Sequence, residues 1–275
     1  MEFTVKYASF DDLEACVKVE KDTMGSYCYL EDCWHYFQSQ KGELICVYHE
    51  NEMVGIGRFT VLPDNSAWLE TLRVTPKYQG KGVGKLIYKH YLKLAEKYKC
   101  VSIAMFTGVE NKASKSLAIK NGLTFKSEHT GYHLSDFSKA NSHDFKNISW
   151  GKSTKSIIKL KDKFNDYMVI NRTFYHINNE NIIDFASNAR VYQSESDSSI
   201  VVCGSRFQHS TALHIAIMSG DYTKCIEFAI SLAKARGVEK VSCTFSRENE
   251  KLEKSLVENG FIKESSNLIT MEKLM

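Results

Sequence analysis

The chain has 275 residues, enough for one large domain or two of medium size. Apolar residues make up 43% and charged residues 25%, with a net charge of only +3. That composition supports a buried core and excludes a broad basic face for nucleic acid.

No stretch approaches the roughly 20 apolar residues of a membrane span. The start, MEFTVKYASFDDLEACV, has an acidic pair where a signal peptide needs an apolar run. The eight cysteines stand singly and form no C-x-x-C pair, so they read as reduced thiols of a cytoplasmic protein. The histidines show no H-E-x-x-H or related spacing, and no metal is assigned.

In chain order, Phe3–Tyr7 alternates as a first strand, and Ser9 caps a helix with Asp11 and Asp12 in its first turn. Residues 20–40 mix aromatics and acids and suggest a second short helix. Gly42–Tyr48 and Met53–Val61 read as strands about the turn 49–52. Trp68–Val74 is the next strand, closed by Pro76. Gln79-Gly80-Lys81-Gly82-Val83-Gly84 follows, just before an apolar-periodic run that reaches about Tyr98. Strand, glycine turn and helix in this order bring backbone amides and a helix N-terminus to one place, which suits phosphate oxygens. Lys81 and Lys85 add charge.

The loop is not a Walker motif, because Gln79 stands where the first Gly belongs and Leu86 where a magnesium-holding hydroxyl is needed. It is not the dinucleotide fingerprint either, since the third glycine position holds Lys85. Val101–Phe106 then reads as a buried strand. Asn111 to Gly122 reads as a helix with an Asn-Gly end, and Leu123–Lys126 begins another strand, with Gly131–Leu134 closing the unit.

The pattern Q-x-x-G-x-G after V-x-P closely resembles the acyl-CoA loop of the GCN5-related N-acetyltransferases, the GNAT family. Asn111, Ser114, Leu117, Lys120 and Gly122 fall in register with a second segment of that family, with Leu123 in place of the usual Phe. The order β-α-α-β-β-β-α-β-α-β is similar as well. The implied fold is α/β (α+β) with a mixed sheet.

Residues 135–165 read as a polar connection into something new. Beyond it, Tyr167–Ile177 and Ile182–Tyr192 look like core elements, and Ile200–Phe207 is a strand. The tail repeats the first half: Val241–Phe245 parallels the strand at 101–106, and Asn249 to Gly260 keeps the Asn-to-Gly spacing of Asn111 to Gly122. The expectation is two tandem GNAT-like domains, 1–140 and 141–275. In the second, the loop is replaced by Ser219-Gly220-Asp221. An acid there caps the helix and repels a pyrophosphate, so this copy is expected to be degenerate and without cofactor.

The resemblance implies transfer of an acetyl group from acetyl-CoA to a primary amine. It also implies that pantetheine pairs with Leu72, Arg73 and Val74. The pyrophosphate would lie on Gln79, Gly80, Lys81, Gly82, Val83, Gly84 and Lys85, with Asn111 and Ser114 lower along the cofactor. Simple alternation turns the Arg73 side chain to the face opposite Leu72 and Val74. Glu70 is the implied general base, a solvated strand carboxylate being the other reading. The tyrosine that protonates the leaving thiolate in many relatives is replaced by Ala118. Tyr132 is the favoured substitute, with Tyr78 or a water as alternatives.

Asp22, Glu31 and Asp32 with Tyr27, Tyr29 and Trp34 would suit a cationic acceptor, and an ordinary solvated helix face explains them equally well. Expected partners are a small-molecule or peptide amine, with no nucleic acid and no membrane, and a monomer or homodimer as the assembly. The alternative function is an acyl-CoA-binding regulatory module without turnover.

Overall fold

A computed structural model describes residues 1–25 and 28–275, without the side chains of Trp150 and Ser153. Tyr27 lies outside the described residues. The chain divides into two compact units. The front unit is Met1–Phe125 together with Met271–Met275, and the rear unit is Lys126–Thr270.

The front unit opens with β1 (Thr4–Tyr7), followed by α1 (Leu13–Met24) and α2 (Leu30–Ser39). Both the amide and the hydroxyl of Ser9 donate to the Asp12 carboxylate, fixing the entry to α1. β2 (Gly42–His49), β3 (Glu52–Val61) and β4 (Ala67–Val74) form an antiparallel meander with β1 on its edge. The chain then crosses through α3 (Val83–Tyr98) to β5 (Ser102–Gly108), which runs parallel to β4. α4 (Lys112–Lys120) and the first residues of β6 (Thr124–Leu134) follow. The C-terminal segment completes this unit. The Met275 amide donates to the Val101 carbonyl, and the Thr124 hydroxyl to the Glu272 carbonyl.

Two glycines set how closely α3 lies on the sheet. A Cβ on Gly55 would meet Val83 Cγ1 at 2.6 Å, and one on Gly57 would meet Tyr91 Oη at 2.3 Å and Ile87 Cγ2 at 2.6 Å. The α3 face of β3 is therefore Gly55, Gly57 and Phe59, with Phe59 against the rings of Tyr91 and Tyr98. Ile56, Arg58 and Thr60 point to the other face, where α1 and α2 pack and Arg58 lies over Phe37. Alanine at Gly57 is expected to overpack this seam and cost about 1–3 kcal/mol, read as a lowered melting temperature.

The rear unit holds β7 (Phe145–Asn147), α5 (Trp150–Ile158), the hairpin β8 (Tyr167–Ile170) and β9 (Thr173–His176), α6 (Asn179–Ser187), β10 (Val191–Ser194), β11 (Ile200–Gly204) and β12 (Ala212–Ser219). It continues through α7 (Tyr222–Ala235), β13 (Lys240–Ser246), α8 (Glu250–Glu258), β14 (Ile262–Lys263) and the start of β15 (Leu268–Leu274). Within it, the remainder of β6 lies between β13 and β14. β12, β11, β10 and β7 follow in order beyond β13, and β8 packs on β12 and β13.

The division into units differs from the 140/141 join read from the sequence. It falls inside β6, because residues 129–134 are registered with β13. Gly131–Leu134 thus belongs to the rear sheet. The segment expected as a polar connection contains β7 and α5.

The repeat is visible bond by bond. Asn111 Oδ1 accepts from the Ser114 amide at 3.0 Å, and Asn249 Oδ1 from Leu252 at 3.3 Å. Asn121 Nδ2 donates to the Leu117 carbonyl, as Asn259 Nδ2 does to Ser255, both at 2.8 Å. Gly122 and Gly260 take φ +88° and +87°, and the amides of Leu123 and Phe261 return to Ala118 and Leu256. Each helix is capped and closed by the same chemistry.

His129 in β6 is fully buried, edge-on to Phe174, with Nε2 2.7 Å from the Ser127 hydroxyl. Burial pushes its pKa down to about 4. Its folded value lies below the unfolded one, so its contribution is fully present above about pH 6.5 and is lost as pH falls toward 4. Urea midpoints measured at pH 7 and pH 5 should show this loss, at most about 1.4 kcal/mol per pH unit. His129→Gln should flatten it.

Candidate active site

The site is built around the last residues of β4. Gly55 faces Val74 and Ile56 faces Arg73, but Arg58 faces Glu70. Thr71 and Leu72 thus oppose the single residue Gly57, a β-bulge. Thr71 sits at φ +58°, an uncommon conformation for a β-branched residue, and its hydroxyl meets Tyr29 Oη at 3.2 Å. On the other edge, β4 pairs with β5 only at Ala67↔Ile103 and Trp68↔Ala104. Beyond Trp68 the two parallel strands separate, leaving that edge of β4 without a strand partner among the described residues.

The strand ends at the loop. Gln79 Nε2 donates to the Val74 carbonyl at 3.0 Å and ties the turn back to β4. Gly80 and Gly82 adopt φ +73° and +94°, and a Cβ on either would meet nothing within 4 Å. It is their conformation that calls for glycine. Gly84 is small for packing, since its Cβ would lie 2.9 Å from Leu117 Cδ2 of α4. The two sequence motifs meet at that contact.

Gly82 stands at the N-cap of α3 with no side chain to cap it, and the first helical bond runs from Leu86 to Gly82. Among the described residues, the amides of Val83, Gly84 and Lys85 have no acceptor. Lys81 and Lys85 are exposed beside them. Three free amides, a helix dipole and two lysines suit a diphosphate, and the bare edge of β4 suits an extended amide chain.

The rear unit does not reproduce this. There Gly220 is wedged against Ser199, and the Asp221 amide donates to the Ser199 hydroxyl at 2.9 Å. Asp221 Oδ1 accepts from the Lys224 amide at 3.1 Å, so the first turn of α7 is capped by its own carboxylate.

Glu70 is buried and accepts a hydrogen bond from the Thr60 hydroxyl at 2.7 Å. Arg58 Nε donates to the same Thr60 oxygen at 3.1 Å, and its Nη2 to the Gln40 carbonyl at 2.9 Å. Glu70 is therefore held in a polar network on the α1–α2 face and is not a solvated strand carboxylate. Tyr91 reaches under from α3, its hydroxyl directed at the Glu70 carbonyl. Burial raises the pKa of Tyr29, while the charge of Arg73 opposes that rise.

The bulge alters one expectation directly. Plain alternation separates Arg73 from Glu70; the extra residue places both on the α1–α2 face, while Val74 stays beside Gly55 under α3.

The other sequence-named residues divide. Asn111 and Ser114 lie at the start of α4, and the Asn111 side-chain oxygen is committed to capping it. Ala118, in the proton-donor position, is buried. Tyr132 belongs to the rear unit, where its hydroxyl donates to Glu253. Tyr78 is buried with its hydroxyl on Glu52. Trp34 is a core residue, and Asp22, Glu31 and Asp32 are solvent-exposed. Tyr29 touches the bulge through the Thr71 hydroxyl. Thr60, Arg58 and Thr71 were not legible as site residues, because register and bulge decide their placement. No group of three or more His, Cys, Asp or Glu among the described residues is placed to hold a metal.

A splayed parallel strand pair, a glycine turn and a helix start without a side-chain cap come together at the end of β4. Residues 10–123 match the acetyltransferase (GNAT) family model, a stretch that covers less than half of the chain. The fold of the chain is that of two such domains in tandem. A tandem GNAT protein from the clavulanic acid biosynthesis pathway aligns over 99% of this chain and 98% of its own, with TM-score 0.63 and 10% identity. An acetyltransferase structure from Pyrococcus horikoshii aligns over 99% of this chain and 89% of its own, with TM-score 0.69 and 13% identity. At such identities the likeness concerns the fold alone. A spermine/spermidine N(1)-acetyltransferase of Bacillus subtilis is 30% identical over 102 residues, which cover 34% of this chain and 64% of that protein.

Proposed function

We propose that the front unit binds acetyl-CoA and transfers its acetyl group to a primary amine. The observation that carries this is the set of free amides at Val83, Gly84 and Lys85 beside the unpaired edge of β4. Bound there, acetyl-CoA supplies an activated acyl group. The loop amides and lysines hold the diphosphate, and Leu72, Arg73 and Val74 offer backbone groups to pantetheine. Glu70, oriented by Thr60, removes a proton from the attacking amine, directly or through water. Holding both reactants at the bulge supplies the remaining advantage through proximity. Neither Tyr132 nor Tyr78 is used, and solvent protonates the thiolate.

The rear unit serves as scaffold and binds no cofactor, because the Asp221 carboxylate occupies the helix end a diphosphate would need. We place the reaction in the cytoplasm. No helix among the described residues is long and apolar enough to cross a membrane. The assembly is a monomer or homodimer. Calorimetric titration with CoA should give one site per chain. Absence of binding would sink the reading, and two equal sites would sink the division of roles.

A second reading is favoured by Ala118, buried where many relatives carry a proton donor: the unit binds acyl-CoA without turnover. Thiol release from acetyl-CoA over a panel of amines separates the two. Spermidine belongs in that panel on account of the Bacillus relative.

A further inference from the structure

We infer that the acceptor is an amino carboxylate, an amine that also bears a carboxylate, and that the Arg73 guanidinium is the group that recognises the anion. This rests on the acetyltransferase reading above.

The argument begins with the face on which Arg73 stands. Its strand partner is Ile56, and the residues on either side of Ile56, Gly55 and Gly57, lie under α3. Ile56 and Arg73 therefore point to the α1–α2 face. Glu70 shares that face through its partner Arg58, and Tyr29 reaches it through Thr71. The bulge thus sets a carboxylate and a guanidinium a few residues apart on one face of the strand. The amides and lysines suited to phosphates belong to the α3 end, so Arg73 is not needed for the cofactor's diphosphate.

The second observation is that, among the described residues, Arg73 forms no ion pair with a carboxylate. Its Nη1 donates to the carbonyl of its own neighbour Leu72 at 3.0 Å. Its Nε is buried and has no acceptor. The acids whose charge acts in this neighbourhood, Glu20 and Glu70, each have hydrogen-bond donors of their own. Fully buried Glu20 accepts the amides of Tyr29 at 3.2 Å and Leu30 at 2.9 Å on Oε2, holding the start of α2, while its Oε1 has no donor. Glu70 accepts from Thr60.

Arg58 shows what a structural arginine looks like on the same face. It is fully buried, lies over Phe37, and donates to Thr60 and Gln40. Arg73 is only partly buried and has no such set of partners. A guanidinium cannot shed its proton, and an inward-facing donor without an acceptor is costly. A ligand anion relieves both, and a carboxylate matches the planar fork. An acceptor whose amine lies toward Glu70 and whose carboxylate lies toward Arg73 spans the bulge. A polyamine presents only cations to this face and is repelled by the guanidinium.

The test uses the full chain with acetyl-CoA and a matched panel. The panel holds free amino acids, the same amino acids as C-terminal amides, their decarboxylated amines, and spermidine. At least one free amino acid should be acetylated, and amidation or decarboxylation should lower its kcat/KM by on the order of 10- to 100-fold, as expected for one charge-assisted contact. Arg73→Gln should raise KM for the amino acid far more than it lowers kcat and erase the preference over the amide. Arg73→Lys should restore part of it. Binding of amino acid and amide to the native CoA complex, by calorimetry, needs no variant and should show the same ratio.

Spermidine or the decarboxylated amines used as well as the amino acids would overturn the inference and leave the acetyltransferase reading intact. An equal loss of CoA affinity in Arg73→Gln would also overturn it, by assigning the residue to the cofactor. CoA binding with no turnover of any amine would remove the acetyltransferase reading, and the inference with it.

Discussion

Valine at Gly82 should weaken CoA binding by on the order of 100-fold while leaving the chain folded. Gly82 holds φ +94° at the N-cap of α3, and a Cβ there would meet nothing within 4 Å. The cost is therefore conformational, about 1–2 kcal/mol for a residue that disfavours the left-handed region. The loop relieves that strain by rotating the peptides on either side, which turns amides away from the diphosphate. Each charge-assisted bond so lost is worth about 1.5–3 kcal/mol, and one or two of them give the expected fold-change. Gly84→Val is the informative contrast. Its Cβ would press Leu117 of α4 at 2.9 Å, so its main effect should be a lowered melting temperature. Calorimetry with CoA and thermal melts on both variants separate the two roles. Unchanged CoA affinity in Gly82→Val would falsify the assignment of the loop.

The second large effect is expected at Glu70. Glu70→Gln should lower kcat by about 10²- to 10⁴-fold, the usual worth of a positioned base. The amide retains an oxygen for the Thr60 hydroxyl, which now lies 2.7 Å from the carboxylate, so the strand pairing with β3 survives. CoA affinity should be unchanged. The deficit should shrink as pH rises toward the acceptor's own pKa, because the amine then loses its proton unaided. A variant with near-native turnover at neutral pH would reduce Glu70 to a structural role beside Arg58.

The sequence revealed the features that depend on local spacing. Three glycines after V-x-P specify the turn, because each position needs either a positive φ or room for a neighbouring helix. Asn111 to Gly122 and Asn249 to Gly260 specify two helices of equal length, because both ends are closed by short-range hydrogen bonds. Asp221 at the start of α7 was readable for the same reason.

Placements that depend on register were hidden. Nothing in the string Glu70-Thr71-Leu72-Arg73 announces that a threonine will take a left-handed conformation, yet that one residue decides which side chains share a face. The join between units was hidden because it falls within a continuous strand, where composition does not change. The polar stretch after residue 134 drew attention to the wrong place. Tyr132 looked available from the sequence because its partner, Glu253, lies 121 positions away.

Residues 271–275 belong to the same compact unit as residues 1–125, and the Met275 amide closes on Val101. During synthesis, the part that carries the proposed chemistry therefore stays unfinished until residues 271–275 have emerged from the ribosome. A nascent chain halted just short of them leaves an open edge beside β5, where trimming by a protease or stray pairing with another strand can begin.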